Sequence, residues 1–503
     1  MAKEIKENLN NLKEYLKKLE YLTSSIALIQ WDSMVNMPSK AIRYRSEILG
    51  YLSEKKYKMS TSKKIKQYID FFSDLKDLDN ITKRTIKKIS KEYYKNKKIP
   101  KEEYKQYVIA GTISGAAWEN AKINKDFEIF EPHLKKMVEY NQKFAEYWGF
   151  KENRYDALLD IYEPGITTEK LDVVFNNLKD AIVDLLNKIK DSDNSPNIEF
   201  FIGNFPRKDQ EKFAKEIMYS MGYDYEYAGR IDESIHPFTT NFGNKDVRIT
   251  THYYENDFRP ALFSCIHEAG HAIYEQDIPD SLQGTLLAEG ASMGIHESQS
   301  RFYENIIGRS KYFWKFFYKK ALEKFPQFKD ISLEDFYRGI NFVETSLIRT
   351  EADELTYSLH IIIRYEIEKL LINGDISVHE LPSIWSKKYK DYLGVEPKND
   401  AEGILQDIHW SDGSFGYFPS YALGNLYGAQ FFNKMKKDIS DIYEQVSIGN
   451  FTVIHNWLKE NIHKYGSIYK PTELIKKVTG EELSEKYFIK YLNAKFKEIY
   501  KIN

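Results

Sequence analysis

Pro260-Ala261-Leu262-Phe263-Ser264-Cys265-Ile266-His267-Glu268-Ala269-Gly270-His271-Ala272-Ile273-Tyr274-Glu275 is the stretch from which this chain is best read. Leu262, Ile266, Ala269 and Ile273 recur at steps of three and four, the stripe of an amphipathic helix. Asp257 and Pro260 suit its start. On a helix, residues four apart share one face, so His267 and His271 can grip one metal ion. The pattern is H-E-x-x-H, in which Glu268 can reach a water held by that metal. Gly270 costs about 1 kcal/mol in a helix interior relative to alanine, which predicts a close approach by another backbone or by substrate. Two surface histidines on a helix are the plain alternative, but the neighbouring residues are mostly apolar.

Outward from this segment, most of the chain has the same periodicity. Leu9, Leu12, Leu16, Leu19 and Leu22 form one stripe. Similar spacing predicts helices over 68–78, 101–117, 134–147 and 168–189. Breaks fall at Met37-Pro38, Gly149, Pro164-Gly165, Asn194-Ser195-Pro196, Gly374, Gly394 and from Gly413 to Gly416. Residues 230–254 differ. They are rich in β-branched and aromatic types around Asn241-Phe242-Gly243-Asn244, which predicts a short sheet or hairpin just before the metal helix. No linker or repeat divides the chain. The expectation is therefore one mainly α-helical domain over residues 1–503, with its metal-site helices at about 260–305.

The 503 residues, 42% of them hydrophobic in type, suffice for a large core. With 73 basic and 75 acidic residues the net charge is −2, which argues against a nucleic-acid or membrane-surface partner. Lys55-Lys56-Tyr57-Lys58 and Lys87-Lys88 read as solvated helix faces. The single cysteine, Cys265, allows no intrachain disulfide and fits a reducing compartment. It reads as a small buried core thiol rather than a nucleophile. With no apolar leader and no run of about 18 apolar residues, a cytoplasmic protein is expected.

A catalytic metal of this type takes three protein ligands and keeps an open position. Glu275, Glu289, His296, Glu297 and Glu304 are the downstream candidates for the third ligand. Glu275 is eight residues past His267 and cannot close the site. A second helix, starting near Ala288, would bring either His296 or Glu297 to the metal, and spacing favours neither. Glu297 could instead pair with Arg301, four residues on.

The motif followed by His296-Glu297-Ser298-Gln299-Ser300-Arg301 resembles the carboxypeptidase Taq, or M32, family of metallocarboxypeptidases. The resemblance extends through Trp31-Asp32 with Met37-Pro38, His236-Pro237-Phe238 and Asp246-Val247-Arg248-Ile249-Thr250. It continues through Ile348-Arg349-Thr350-Glu351-Ala352-Asp353, then Gly403 to Trp410, then Gly416-Tyr417-Phe418-Pro419-Ser420-Tyr421. These segments occur in family order over nearly the whole chain. The resemblance implies a helical, gluzincin-like saddle with a deep central groove, a small sheet by the active site, and a homodimer. It implies removal of C-terminal residues from peptides that carry a free C-terminus. It also implies Glu297 as third ligand, with His296 behind it or in the groove. Zinc is the expected ion, and cobalt or manganese can share such a site.

Roles for the remaining residues follow from the chemistry. Glu268 is the expected general base. His409 and Tyr421, from the matching segments, are candidate donors to the oxyanion, with groove-wall packing as the alternative. Arg349 is the first candidate for the substrate carboxylate and Arg248 the second; ion pairs with Asp353 and Asp246 are the structural alternatives. Asp353 or Glu351 could orient a ligating histidine. His236, held extended before Pro237, could bond substrate from the sheet. Trp31 and Asp32 read as structural, closing a helix hairpin over the groove. Two other functions fit the same motif: an oligopeptidase cutting internally, and a non-catalytic helical peptide-binding protein with a structural metal.

Overall fold

Helix takes up 68% of the chain and strand 3%. The computed structural model describes residues 2–502. The N-terminal stripe becomes a long helix, Ala2–Val35, which turns back at Met37-Pro38 into Ile42–Ser60. Asp32 closes this hairpin through Arg45 at 2.8 Å. Leu12, Leu16 and Leu19 pack with Ile65, Tyr68, Ile69 and Phe72, and with Ile86 and Ile89, as a separate small core. The helix expected over 68–78 runs instead over Lys63–Ser73, because Ser62 caps it by accepting a hydrogen bond from the Ile65 N–H. The other three spacing-based helices lie within Lys101–Asn124, Glu131–Trp148 and Thr168–Lys190.

The main core is one continuous set of buried residues drawn from Ala110 to Tyr500. The 230–254 region forms three strands, β1 (Gly229–Glu233), β2 (Thr239–Asn241) and β3 (Val247–Thr251), in the order β1-β3-β2. Only β2 and β3 make the expected hairpin; β1 runs parallel to β3 on its other side. The turn between β2 and β3 uses Gly243 at φ 141°, a conformation open to glycine. Val247, Ile249, Thr250 and Thr251 are buried, because β3 has a strand on each edge and the motif helix against it.

The motif helix spans Arg259–Gln276. The second metal-site helix is Met293–Arg301, later than the expected start near Ala288. Its beginning is fixed by Ser292, whose hydroxyl accepts from the Ile295 N–H at 3.1 Å. This helix runs into a π-turn, Phe302–Ile307, closed by the Gly308 N–H donating to the Tyr303 carbonyl five residues back. A groove of ≈ 2170 Å³ crosses the molecule, and both metal-site helices open onto it. Among the described residues no helix is long and apolar enough to cross a membrane.

Candidate active site

His267, His271 and Glu297 present one donor atom each, all within 4.8 Å of one another. Glu297 Oε2 is 3.7 Å from His267 Nε2 and 3.3 Å from His271 Nε2. Tetrahedral bonds of about 2.0–2.2 Å would separate neighbouring donors by roughly 3.4 Å, so the spacing suits one divalent ion. Two contacts between helices allow this. A Cβ on Gly270 would lie 2.7 Å from the Gln299 carbonyl oxygen and from Ser300 Cα, so only glycine lets the two metal-site helices touch. A Cβ on Gly424, in the helix Pro419–Asp438, would lie 2.5 Å from Glu297 Cγ. The approach expected at Gly270 is thus made by backbone.

The groups behind the donors fix which way they face. His267 Nδ1 is 2.9 Å from Glu304 Oε2, which leaves Nε2 turned to Glu297. His271 Nδ1 is 2.6 Å from His296 Nδ1, and His296 Nε2 is 2.7 Å from Glu275 Oε1. Glu275 also accepts from Asn241 of β2. If His296 donates to the Glu275 carboxylate, its Nδ1 accepts from His271, and the His271 Nε2 lone pair is free. His296 and Glu275 therefore form a chain behind one ligand, and Glu304 stands behind the other. The expected orienting role of Asp353 or Glu351 is not realised. Asp353 Oδ1 instead accepts from the N–H groups of Leu355 and Thr356. Glu289, the remaining candidate ligand, pairs with Lys88.

Arg301 donates to Glu297 Oε1 at 2.7 Å and to Glu304 at 3.2 Å. The ion pair weighed as an alternative to ligation thus uses the oxygen pointing away from the histidines. Arg309 Nη2 lies 3.6 Å from Glu304 Oε1. Residues five apart would be about 140° apart around a regular helix, and the π-turn brings them to one side. Burial opposes ionisation of Glu297, yet Arg301 and the two histidines hold its carboxyl well below the usual range. Burial, with the neighbouring histidines, lowers His271 to about 3, so its ring is neutral at pH 7.

Glu268 is buried, and burial raises its carboxyl above the usual value. The Thr239 hydroxyl donates to Glu268 Oε2 at 2.5 Å. Glu163 is fully buried against the start of the Glu297 helix and accepts from the Gly294 N–H; burial raises it to about 8. Cys265 is wholly buried, its thiol pushed up to about 12 by burial, which suits the expected packing role.

His236, His409, Tyr421 and Arg349 all line the groove with the three donors and Glu268. His409 is lowered to about 4 by burial, with Arg349 and Arg364 adding to the effect. Its Nδ1 is buried and has no protein partner. Arg349 does not pair with Asp353. It donates to Asp407 Oδ1 at 2.9 Å and to the Tyr357 hydroxyl at 3.2 Å. The fully buried Arg364 donates to the other Asp407 oxygen at 2.7 Å. Two guanidiniums sharing one carboxylate leave this wall with net positive charge. Arg248 is not a groove residue: Asp246 holds it through two 2.7 Å bonds, and it stacks 4.8 Å from the Trp31 ring. Trp31 is thereby packed against arginines of β1 and β3 and does not line the groove.

The chain matches the model of the carboxypeptidase Taq (M32) metallopeptidase family over residues 11–496. It belongs to that family. Carboxypeptidase 1 of Bacillus subtilis (strain 168) is 49% identical over 489 residues, 97% of each chain. Thermostable carboxypeptidase 1 of Thermus thermophilus is 37% identical and spans 97% of this chain and 98% of that one. The crystal structure of an M32 carboxypeptidase from Deinococcus radiodurans superposes with a TM-score of 0.96 at 33% identity, covering 99% of this chain and 100% of that one. As an M32 member this protein is a metal-dependent carboxypeptidase, and the family implies a divalent ion. Sequence reasoning gave no role to Thr239, Tyr357 or Asp407, and weighed Glu275 and Glu304 only as metal ligands. Thr239, Glu275, Glu304 and Asp407 act through partners 21 to 58 residues away, so no local motif marks them.

Proposed function

We propose that residues 1–503 form one catalytic unit that releases C-terminal amino acids from peptides, with His267, His271 and Glu297 as metal ligands. The carrying observation is the convergence of those three donors in the groove beside Glu268. A divalent ion bound there supplies a Lewis acid that polarises the scissile carbonyl and acidifies water. Glu268 takes the proton of the attacking water and delivers it to the leaving amine; its raised affinity for a proton suits both transfers. His409, as a neutral imidazole, and Tyr421, as a protonated phenol, donate to the oxyanion. Arg349 receives the substrate α-carboxylate, favoured by the surplus positive charge it shares with Arg364 and Asp407. His236 bonds the peptide backbone from the connection between β1 and β2.

Zinc is our choice of ion, since two imidazoles and one carboxylate suit it, with cobalt or manganese able to replace it. We further propose a cytoplasmic homodimer, the location from the lone cysteine and the assembly from the family resemblance; light scattering in solution tests the latter. The function itself is tested with N-blocked peptides and their C-terminally amidated twins. Release of single residues from the free acids alone is expected. Equal cleavage of both, or products of two or more residues, would overturn exopeptidase action.

A further inference from the structure

Lys87 is exposed, as its sequence suggests, while Lys88 beside it is half-buried, and both lie along the groove. The helix Asn80–Lys98 carries eight basic residues and one acid, Glu92, in a chain whose overall charge is −2. Thr82, Thr85, Ile86 and Ile89 bury one face of it. Arg84, Lys87, Lys88, Lys91 and Lys95, at steps of three and four, occupy another, and all five line the groove. Arg84 pairs with Glu473, Lys88 with Glu289 and Lys91 with Asp160. Among the described residues, Lys87 and Lys95 have no carboxylate partner. Lys95 lies 4.3 Å over the Trp148 ring, and burial together with Lys91 lowers it to about 8. A carboxylate brought there would offset these effects by favouring the charged amine.

Two runs of contacts lead away from the metal donors, one to Arg349 and one to the stripe. In the first, Glu297 meets Arg301, whose guanidinium sits 4.1 Å over Tyr357, which in turn meets Arg349. In the second, His271 meets His296, which packs on Gly290, next to the Glu289 that pairs with Lys88. A peptide whose terminal carboxylate is held at Arg349 and whose last bond lies at the donors can extend along the same groove to the lysines.

We propose that this basic wall is a subsite for acidic side chains upstream of the scissile bond, so that acidic oligopeptides are preferred. This rests on the carboxypeptidase reading above. The test uses two hexapeptides with the same three C-terminal residues and either three glutamates or three lysines before them. At low salt the acidic peptide should have about tenfold higher kcat/KM, and the ratio should shrink in 0.5 M salt as exposed charges are screened. A Lys87→Glu/Lys95→Glu double variant, checked for an unchanged Tm, should lose most of the preference. Equal kcat/KM for the two peptides, both losing their last residue, would overturn the subsite alone. So would a preference that survives in the double variant. Failure to shorten either peptide would overturn the carboxypeptidase reading beneath it.

Discussion

His267 Nδ1 lies 2.9 Å from Glu304 Oε2, and this contact commits the opposite ring nitrogen to the groove. Outer partners of this kind set ligand orientation and basicity. Glu304→Ala is therefore expected to weaken metal binding by about 10–100-fold while leaving three donors in place. Competition with a chelator measures this, and unchanged affinity would remove Glu304 from the site.

Glu268→Gln keeps the volume and the hydrogen bond from Thr239 but cannot take a proton. Metal content should stay at the parent level while kcat falls by about 10²–10⁴-fold. Elemental analysis beside steady-state kinetics separates the two effects. Turnover near that of the parent would rule out the general-base role.

Arg349→Lys retains the charge and loses the planar fork. We expect kcat/KM to drop by about 10-fold or more for peptides with a free C-terminus. The parent's discrimination against amidated peptides should shrink in step. A variant that still discriminates as the parent does would place carboxylate recognition elsewhere.

Gly270→Ala forces the two metal-site helices apart, since the new Cβ would stand 2.7 Å from backbone. Overpacking of this kind costs about 1–3 kcal/mol. A lowered Tm of the metal-free protein is expected, together with weaker metal binding. An unchanged Tm would mean that the contact is not tight.

Glu163 supplies a pH test away from the donors. Its folded value, about 8, is above that of an unfolded glutamate, so the folded state holds the extra proton. The stabilisation is complete below the unfolded value of about 4.3 and is lost as pH rises through about 8. Glu163→Gln, uncharged throughout, should therefore gain Tm relative to the parent between pH 6 and pH 9. A difference between the two proteins that does not change with pH would show that Glu163 does not titrate there.

The sequence was most legible where structure is local. His267, Glu268 and His271 lie within five residues, and a helix puts them together without outside help. The 3.6-residue period likewise located several of the helices, although a single serine cap moved one of them to Lys63–Ser73. Glu297 was recovered from family resemblance, because its distance from His271 depends on a turn that no spacing rule fixes. Arg349 shows the limit most clearly. Asp353 is near in sequence but ties the turn at Leu355 and Thr356, and the true partner, Asp407, arrives on a remote loop. Lys88 looks like a solvent-facing lysine until its pairing with Glu289 is in view.

The widened turn at Phe302–Ile307 has a consequence for how this chain tolerates change in length. Arg309 meets Glu304 only because one additional residue is accommodated there. Deleting a single residue between 305 and 308 would let the segment relax to ordinary winding and leave Arg309 four residues past Glu304, still on the same face. A shortening by one residue there would thus keep the charge behind His267 balanced, whereas relaxation to ordinary winding at the present length would part the pair by about 140° around the helix.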